Sequence, residues 1–529
     1  MTFDVLITHG TVVDGTGAPG IEADVGVRDG RITAIALHLA GSATHQIDAT
    51  GKIVAPGFID MHTHSDFTLL STPSAESKVR QGITTEVVGN CGFSPAPVAP
   101  QTLGLLQEYV GFLNPNLAWD WQRLGEFYRR VSDQGCAFNV APLVGHGAVR
   151  IAVMGFDNRP PSAEELRQMQ YLVAEAMDDG AFGLSSGLIY TPGCYGDTTE
   201  LIALAEVARE GGGMYATHMR GEGGTLETSI AEALRIGEAA HIPVQISHLK
   251  ASGRENWDKM ARALQMIDEG RERGIAVTAD MYPYIAGSTT MTSLFPAWAL
   301  EGGVERLLAR LRDSETRKRV REALSSPDEG WARLNGTLAW EDIVVASCQQ
   351  QKMFEGQTVA QIATVMGQEP PEALMDFFLA EQGKVSIVVF MMSEANVAMG
   401  LAHPQVMIGS DSLAMSAGRG GKPHPRTYGT FPRVLGKYVR QDKIISLEDG
   451  VRKMTSMAAE KLGLVDRGVL AEGKAADITI FDAAIVQDNA TFEAPHQYPD
   501  GIDYVIVNGQ VVVAHGQQRP VLPGVVLRK

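Results

Sequence analysis

The stretch Pro56-Gly57-Phe58-Ile59-Asp60-Met61-His62-Thr63-His64 is strand-like and ends in two histidines at i and i+2. On a strand those side chains leave the same face, so both imidazoles reach toward one metal ion. Two further apolar segments end in histidine, Met214-Tyr215-Ala216-Thr217-His218 and Val244-Gln245-Ile246-Ser247-His248. A carboxylate ends another, Met407-Ile408-Gly409-Ser410-Asp411. A lone histidine at a strand end is more often structural. Three such signals along successive strand–helix units favour a shared metal instead. An acid such as Asp411 would there bind metal, act as general base, or both.

These groups need elements that hold them at one place. The middle of the chain alternates apolar strands with amphipathic helices. Strands are expected over 85–88, 137–144, 181–184, 214–217, 244–247, 276–279, 385–390 and 406–408, and helices over 162–179, 199–210 and 225–240. Glu164 and Glu165 follow Pro160-Pro161-Ser162, a capped helix start. This rhythm favours a parallel barrel or a doubly wound sheet. No GxGxxG opens the first unit, so a dinucleotide site has no support. Both chain ends read as short strands with turns at Asp14-Gly15, Asp29-Gly30 and Asn508-Gly509. Together they are consistent with one small β domain into which a barrel is inserted. The charge-rich, helix-like stretch 297–336 interrupts the rhythm and reads as an insertion.

Composition narrows the partners. The 529 residues carry a formal net charge of −17, which repels phosphate backbones and argues against nucleic acid. The longest apolar run, 385–392, is far too short to span a bilayer. Residues 1–10 lack a basic region followed by an apolar stretch, so no signal peptide is expected. Cys91, Cys136, Cys194 and Cys348 are scattered without a CxxC pair. That spacing fits free thiols in a reducing cytoplasm, each by default a small buried hydrophobe.

The constellation resembles the amidohydrolase superfamily, with HxH on strand 1, histidines on strands 5 and 6, and aspartate on strand 8. The ends, around Val5-Leu6-Ile7 and Gly473-Lys474-Ala475-Ala476-Asp477, look like its two-part β-sandwich. Hydantoinases and dihydroorotases of that superfamily use a carboxylated lysine on strand 4, whereas Gly183-Leu184-Ser185-Ser186-Gly187-Leu188 has none. Val87-Val88-Gly89-Asn90-Cys91-Gly92-Phe93-Ser94 instead resembles the N-acyl-D-amino acid deacylases, as do Ser247-His248-Leu249-Lys250, Tyr282-Pro283-Tyr284 and His424-Pro425-Arg426. The resemblance implies an α/β fold: a (β/α)8 TIM-like barrel over 57–454, with the insertion around 297–336, and a small β-sandwich from 1–56 and 455–529.

It also implies one tightly held zinc on Cys91, His218 and His248, with His62, His64 and Asp411 bordering a second, weaker site. A thiolate with two imidazoles suits Zn²⁺ and leaves a position for water. The expected reaction is hydrolysis of an N-acyl-D-amino acid to a carboxylate and a free D-amino acid. Asp411 is the expected base and Tyr190 a donor to the developing oxyanion. Lys250, Tyr282, Ser288 and Arg426 would hold the substrate carboxylate, with Arg419 as a substitute clamp. Met392 and Leu188 would line the side-chain pocket. A small molecule is the only partner implied. A cyclic amidase, a D-dipeptidase-type hydrolase and a non-catalytic binding protein of the same fold are the rival readings.

Overall fold

A computed structural model of the chain describes residues 2–113, 117–327, 330–416, 418 and 420–529. Eight parallel strands run through its middle: β1 (Phe58–Asp60), β2 (Ile83–Val88), β3 (Asn139–Pro142), β4 (Gly183–Gly187), β5 (Met214–His218), β6 (Val244–Ile246), β7 (Val277–Met281) and β8 (Val406–Ile408). Strands β1, β2 and β3 pair in that order, and β4 to β8 form a second parallel row. Hydrogen bonds bridge the rows at both ends. Phe182 N–H donates to the Pro142 carbonyl at 2.7 Å, and Val144-Gly145, just after β3, pair parallel with Leu184-Ser185 of β4. On the far side Asp411 N–H donates to the His62 carbonyl at 2.8 Å, so β8 lies beside β1. These strands are buried along their whole length, as parallel strands covered by helices must be.

The helices between them start where the sequence places caps. Ser162 accepts from Glu165 N–H while Glu165 reaches back, a capping box opening helix Ala163–Asp178. Asp197 caps Thr198–Glu210 by accepting from Glu200 N–H alone, and His241 ends Leu226–Ala240 in the left-handed region.

Strands from the two chain ends meet in one nine-stranded sheet, joined where Ile53–Pro56 pairs antiparallel with Ile478–Phe481. Two of its hairpin turns are ones the sequence signals, whereas Asp14-Gly15 falls in the longer connection between Val12 and Ile21 and the hairpin at His515-Gly516 carries no such signal. Asp29-Gly30 and Asn508-Gly509 all have positive φ, between 48° and 80°, which matches the twist of a two-residue hairpin.

The interruption of the rhythm is wider than 297–336. Ala286–Thr290, Ile343–Ser347 and Ser386–Phe390 form a separate antiparallel sheet, with Ser386–Phe390 in the centre. Helices including Val304–Arg312 and Pro370–Ala380 pack near it on a distinct apolar cluster containing Leu307, Leu311, Phe378, Ile387 and Val389. The strand expected at 385–390 therefore exists, but not as a member of the parallel set. Periodicity identifies a buried strand without identifying its neighbours. Residues 328 and 329 of the expected insertion lie outside the described ones.

Candidate metal centre

The ends of five parallel strands converge. His62 and His64 follow β1, Cys91 follows β2, His218 ends β5, His248 follows β6 and Asp411 follows β8. The Cys91 sulfur is 3.2 Å from His62 Nε2 and 3.4 Å from His248 Nε2. His64 Nε2 is 3.2 Å from Asp411 Oδ1, and His62 Nε2 is 3.6 Å from the same oxygen. Three sets have all their ligand atoms within 4.8 Å of one another: His62 with His64 and Cys91; Cys91 with His218 and His248; His62 with His248 and Asp411. Cys91, His248 and Asp411 all adopt positive φ, at 55°, 35° and 51°. Non-glycine residues enter that region at a cost, and such outliers concentrate at functional sites.

The electrostatics suit a cation. Burial drives His218 and His248 well below the ordinary imidazole range, keeping them neutral and able to donate a lone pair. Both ring nitrogens of His218 are buried without a hydrogen-bond partner among the described residues, a costly arrangement unless a ligand takes one of them. Burial pushes the Cys91 thiol up to about 11 against the lowering pull of His62; a bound metal deprotonates such a thiol outright. Burial would raise the Asp411 carboxyl too, but Arg426 and His64 hold it well below the usual range. The donor set of one thiol, four imidazoles and one carboxylate therefore fits Zn²⁺.

Two carboxylates that the sequence reading missed lie behind the imidazoles. Asp280, in β7, accepts from His248 N–H at 2.8 Å and stands 3.2 Å from His62 Nδ1. Glu222 stands 3.1 Å from His248 Nδ1. They set negative charge beside the two imidazoles. Neither acid carries a distinctive motif. Asp280 had the same signal as Asp411, an acid near a strand end, while Glu222 in Arg220-Gly221-Glu222 reads as a loop acid.

The remaining expected residues divide by depth. His64 and Asp411 are 9% and 8% exposed, the most open of the six. With Tyr190, Ser288 and Arg426 they line a cavity of about 580 Å³. The Tyr190 hydroxyl pairs with Thr289 Oγ1 at 2.9 Å, and its ring lies 5.0 Å from that of His218. Arg426 binds Asp411 at 2.9 Å and donates to the Ser288 carbonyl at 3.1 Å, its guanidinium 4.6 Å over the Tyr282 ring. Lys250 is buried, 2.6 Å from Glu222 and 2.8 Å from His248 Nδ1. Met392 packs in the apolar cluster of the antiparallel sheet, and Leu188 in the main core. Arg419 lies outside the described residues.

The amidohydrolase family model matches residues 46–513. N-acyl-D-glutamate deacylase of Alcaligenes xylosoxydans xylosoxydans is 36% identical over 531 residues, covering 99% of this chain and 96% of the relative. A solved D-aminoacylase, with a binuclear metal centre described as activated by one metal and attenuated by the second, superposes with a TM-score of 0.84 at 36% identity over the whole of both chains. N-acyl-D-glutamate deacylase of Bordetella bronchiseptica, solved with zinc and a phosphonate mimic of the tetrahedral intermediate, gives 0.84 at 35%, again over the whole of both chains.

Proposed function

The chain belongs to the amidohydrolase family, and from that premise we propose that it hydrolyses N-acyl-D-amino acids, using zinc, to a carboxylate and a free D-amino acid. The observation that carries this reading is the cysteine at the end of β2, set among His62, His218 and His248, together with a β4 that offers no lysine. The near-full-length likeness to two D-specific deacylases points the same way. The eight parallel strands are read as a (β/α)8 barrel, supported by β8 lying beside β1. The nine-stranded sheet is read as a β-sandwich domain from both ends, divided from the barrel near 56/57 and 454/455. No helix among the described residues is long and apolar enough to cross a membrane. A cytoplasmic location fits the free cysteines.

Cys91, His218 and His248 hold the zinc in this reading, and His62, His64 and Asp411 border a second position. Zinc, when bound there, supplies Lewis acidity to a carbonyl and makes water more acidic. Asp411, ionised and at the cavity wall, takes a proton from the attacking water and passes it to the leaving nitrogen. The Tyr190 hydroxyl donates to the oxygen that gains charge. Arg426 lies on Asp411 and lines the same cavity, so a substrate carboxylate competes for its guanidinium. Binding would thereby free Asp411 for its proton transfer. Lys250 and Tyr282 sit deeper and support Glu222 and Arg426 respectively, with Ser288 completing the carboxylate side.

Zinc-loaded protein should turn over N-acetyl-D-amino acids and leave the L series untouched. Turnover confined to L substrates, or to hydantoins, overturns the reading.

A further inference from the structure

A second cavity, of about 990 Å³, adjoins the first. Phe93, Gly111, Phe112, Tyr190 and Lys384 line both, so the two meet at the residue read above as the oxyanion donor. The rings of Phe93 and Tyr190 are 5.0 Å apart, and those of Phe93 and Phe112 5.4 Å. Beyond them Ile189, Phe295, Trp298, Leu300 and Trp331 form an apolar part of the wall, beside polar residues such as Thr292, Ser293 and Gln382. Its charged groups are engaged or peripheral. Glu108 accepts from Val304 N–H at 3.1 Å, and Arg319, exposed, lies 4.6 Å over the Trp298 ring.

The two cavities differ in what they offer. Arg426 and Ser288 line the first and not the second. A substrate carboxylate held there, with its scissile carbonyl between the metal ligands and Tyr190, directs its acyl group away from Arg426 and past Tyr190. An acetyl group is three heavy atoms, whereas spaces of roughly 300–1,000 Å³ hold drug-sized ligands. We propose that the second cavity is an acyl subsite, and that this chain prefers D-amino acids carrying extended apolar acyl groups over the acetyl substrates it also turns over. The proposal rests on the deacylase reading. In the reaction the amide C–N bond breaks and a C–O bond forms from water. One water proton goes to the amine nitrogen, and a longer-chain carboxylate leaves with the D-amino acid.

The test compares kcat/KM of the zinc-loaded chain for N-acetyl-, N-butanoyl- and N-octanoyl-D-methionine, with Ser293→Trp and Trp298→Ala as variants. Ser293 lines only the second cavity and is half-buried, so a tryptophan there fills it. The wild type should gain along the series, toward about fourfold per methylene buried. Ser293→Trp should lower the octanoyl value by about tenfold or more and Trp298→Ala by several-fold. Both should keep acetyl turnover within about twofold, which also reports intact folding. The proposal is overturned by a flat or falling wild-type series, or by variants that scale acetyl and octanoyl substrates equally. It is equally overturned if the variants instead shift preference between N-acetyl-D-methionine and N-acetyl-D-tryptophan, which would place the amino-acid side chain in this cavity. If no substrate turns over, acetyl included, the deacylase reading itself fails and this proposal with it.

Discussion

Cys91 and Asp411 both face the same small volume, yet their environments assign them different work. Cys91 is 2% exposed, and burial holds its thiol protonated until a cation arrives. Asp411 is ionised already, anchored by Arg426 and His64. Cys91→Ala should therefore weaken zinc retention first, and activity as a consequence. In the proposed mechanism Asp411→Asn should keep the tightly held zinc while turnover falls by about 10²- to 10⁴-fold, the usual effect of losing a general base. Metal content after dialysis, measured beside kcat, separates the two. Equal zinc loss in both variants, or an Asp411→Asn protein with near wild-type turnover, would contradict the division of roles. The six converging candidates were legible because several strand ends in register carry histidine or aspartate, and Cys91 because its surroundings resemble the deacylase motif. Asp280 and Glu222 were not, since a single carboxylate near a strand end has many ordinary uses. Only the fold shows them facing imidazoles, at 3.2 Å and 3.1 Å. Met392 packs with the antiparallel sheet, a setting that linear position does not reveal.

At the scale of elements, the close approach of β4 to the β2 turn sets the position of Cys91. Gly187, the last residue of β4, is in register with His218. A Cβ there would stand 2.0 Å from the Cys91 carbonyl oxygen and 2.8 Å from the Tyr190 ring. Gly187→Ala must push both aside. The expected result is a loss of about 1–3 kcal/mol in stability, typical of overpacking, and weaker zinc binding than that loss alone explains. Gly104 is the control. It lies exposed in helix Leu103–Tyr109 with open space where a Cβ would go. Gly104→Ala should stabilise by about 0.5–1 kcal/mol and leave zinc binding unchanged. Thermal unfolding with and without zinc reads both effects. If Gly187→Ala binds zinc like the wild type, β4 does not position the centre. A strand was expected at 181–184 and lies at Gly183–Gly187, shifted because its C-terminal half, Ser185-Ser186-Gly187, carries no apolar signal; its tight packing was not legible, because glycine at a strand end signals turns and close approaches alike.

For the whole molecule, the candidate ligands do lie at parallel strand ends and strands from both chain ends do share one sheet, features carried by local signals such as HxH spacing and turn dipeptides. The sequence understated the antiparallel subunit between Ala286 and Phe390, whose pairings depend on partners far along the chain. The outer helices are tied by a contact that no motif announces. Glu200, in helix Thr198–Glu210, accepts from Arg150 at 2.5 Å and lies 2.7 Å from His146 Nε2, both in helix His146–Met154. Burial alone would raise the Glu200 carboxyl, but His146 and Arg150 outweigh it and hold it down at about 2. A carboxyl depressed on folding binds fewer protons in the native state than in the unfolded chain. Its contribution, about 3 kcal/mol, is therefore complete above the unfolded value near 4.5 and is lost as pH falls toward 2. Glu200→Gln, which leaves Arg150 buried without its counter-charge, should cost about 3–5 kcal/mol at neutral pH. The gap between wild type and variant should close as acid protonates Glu200. Urea midpoints of both proteins between pH 7 and pH 3 measure that gap, and a gap constant across the range would mean that the Glu200 charge does not hold the two helices together.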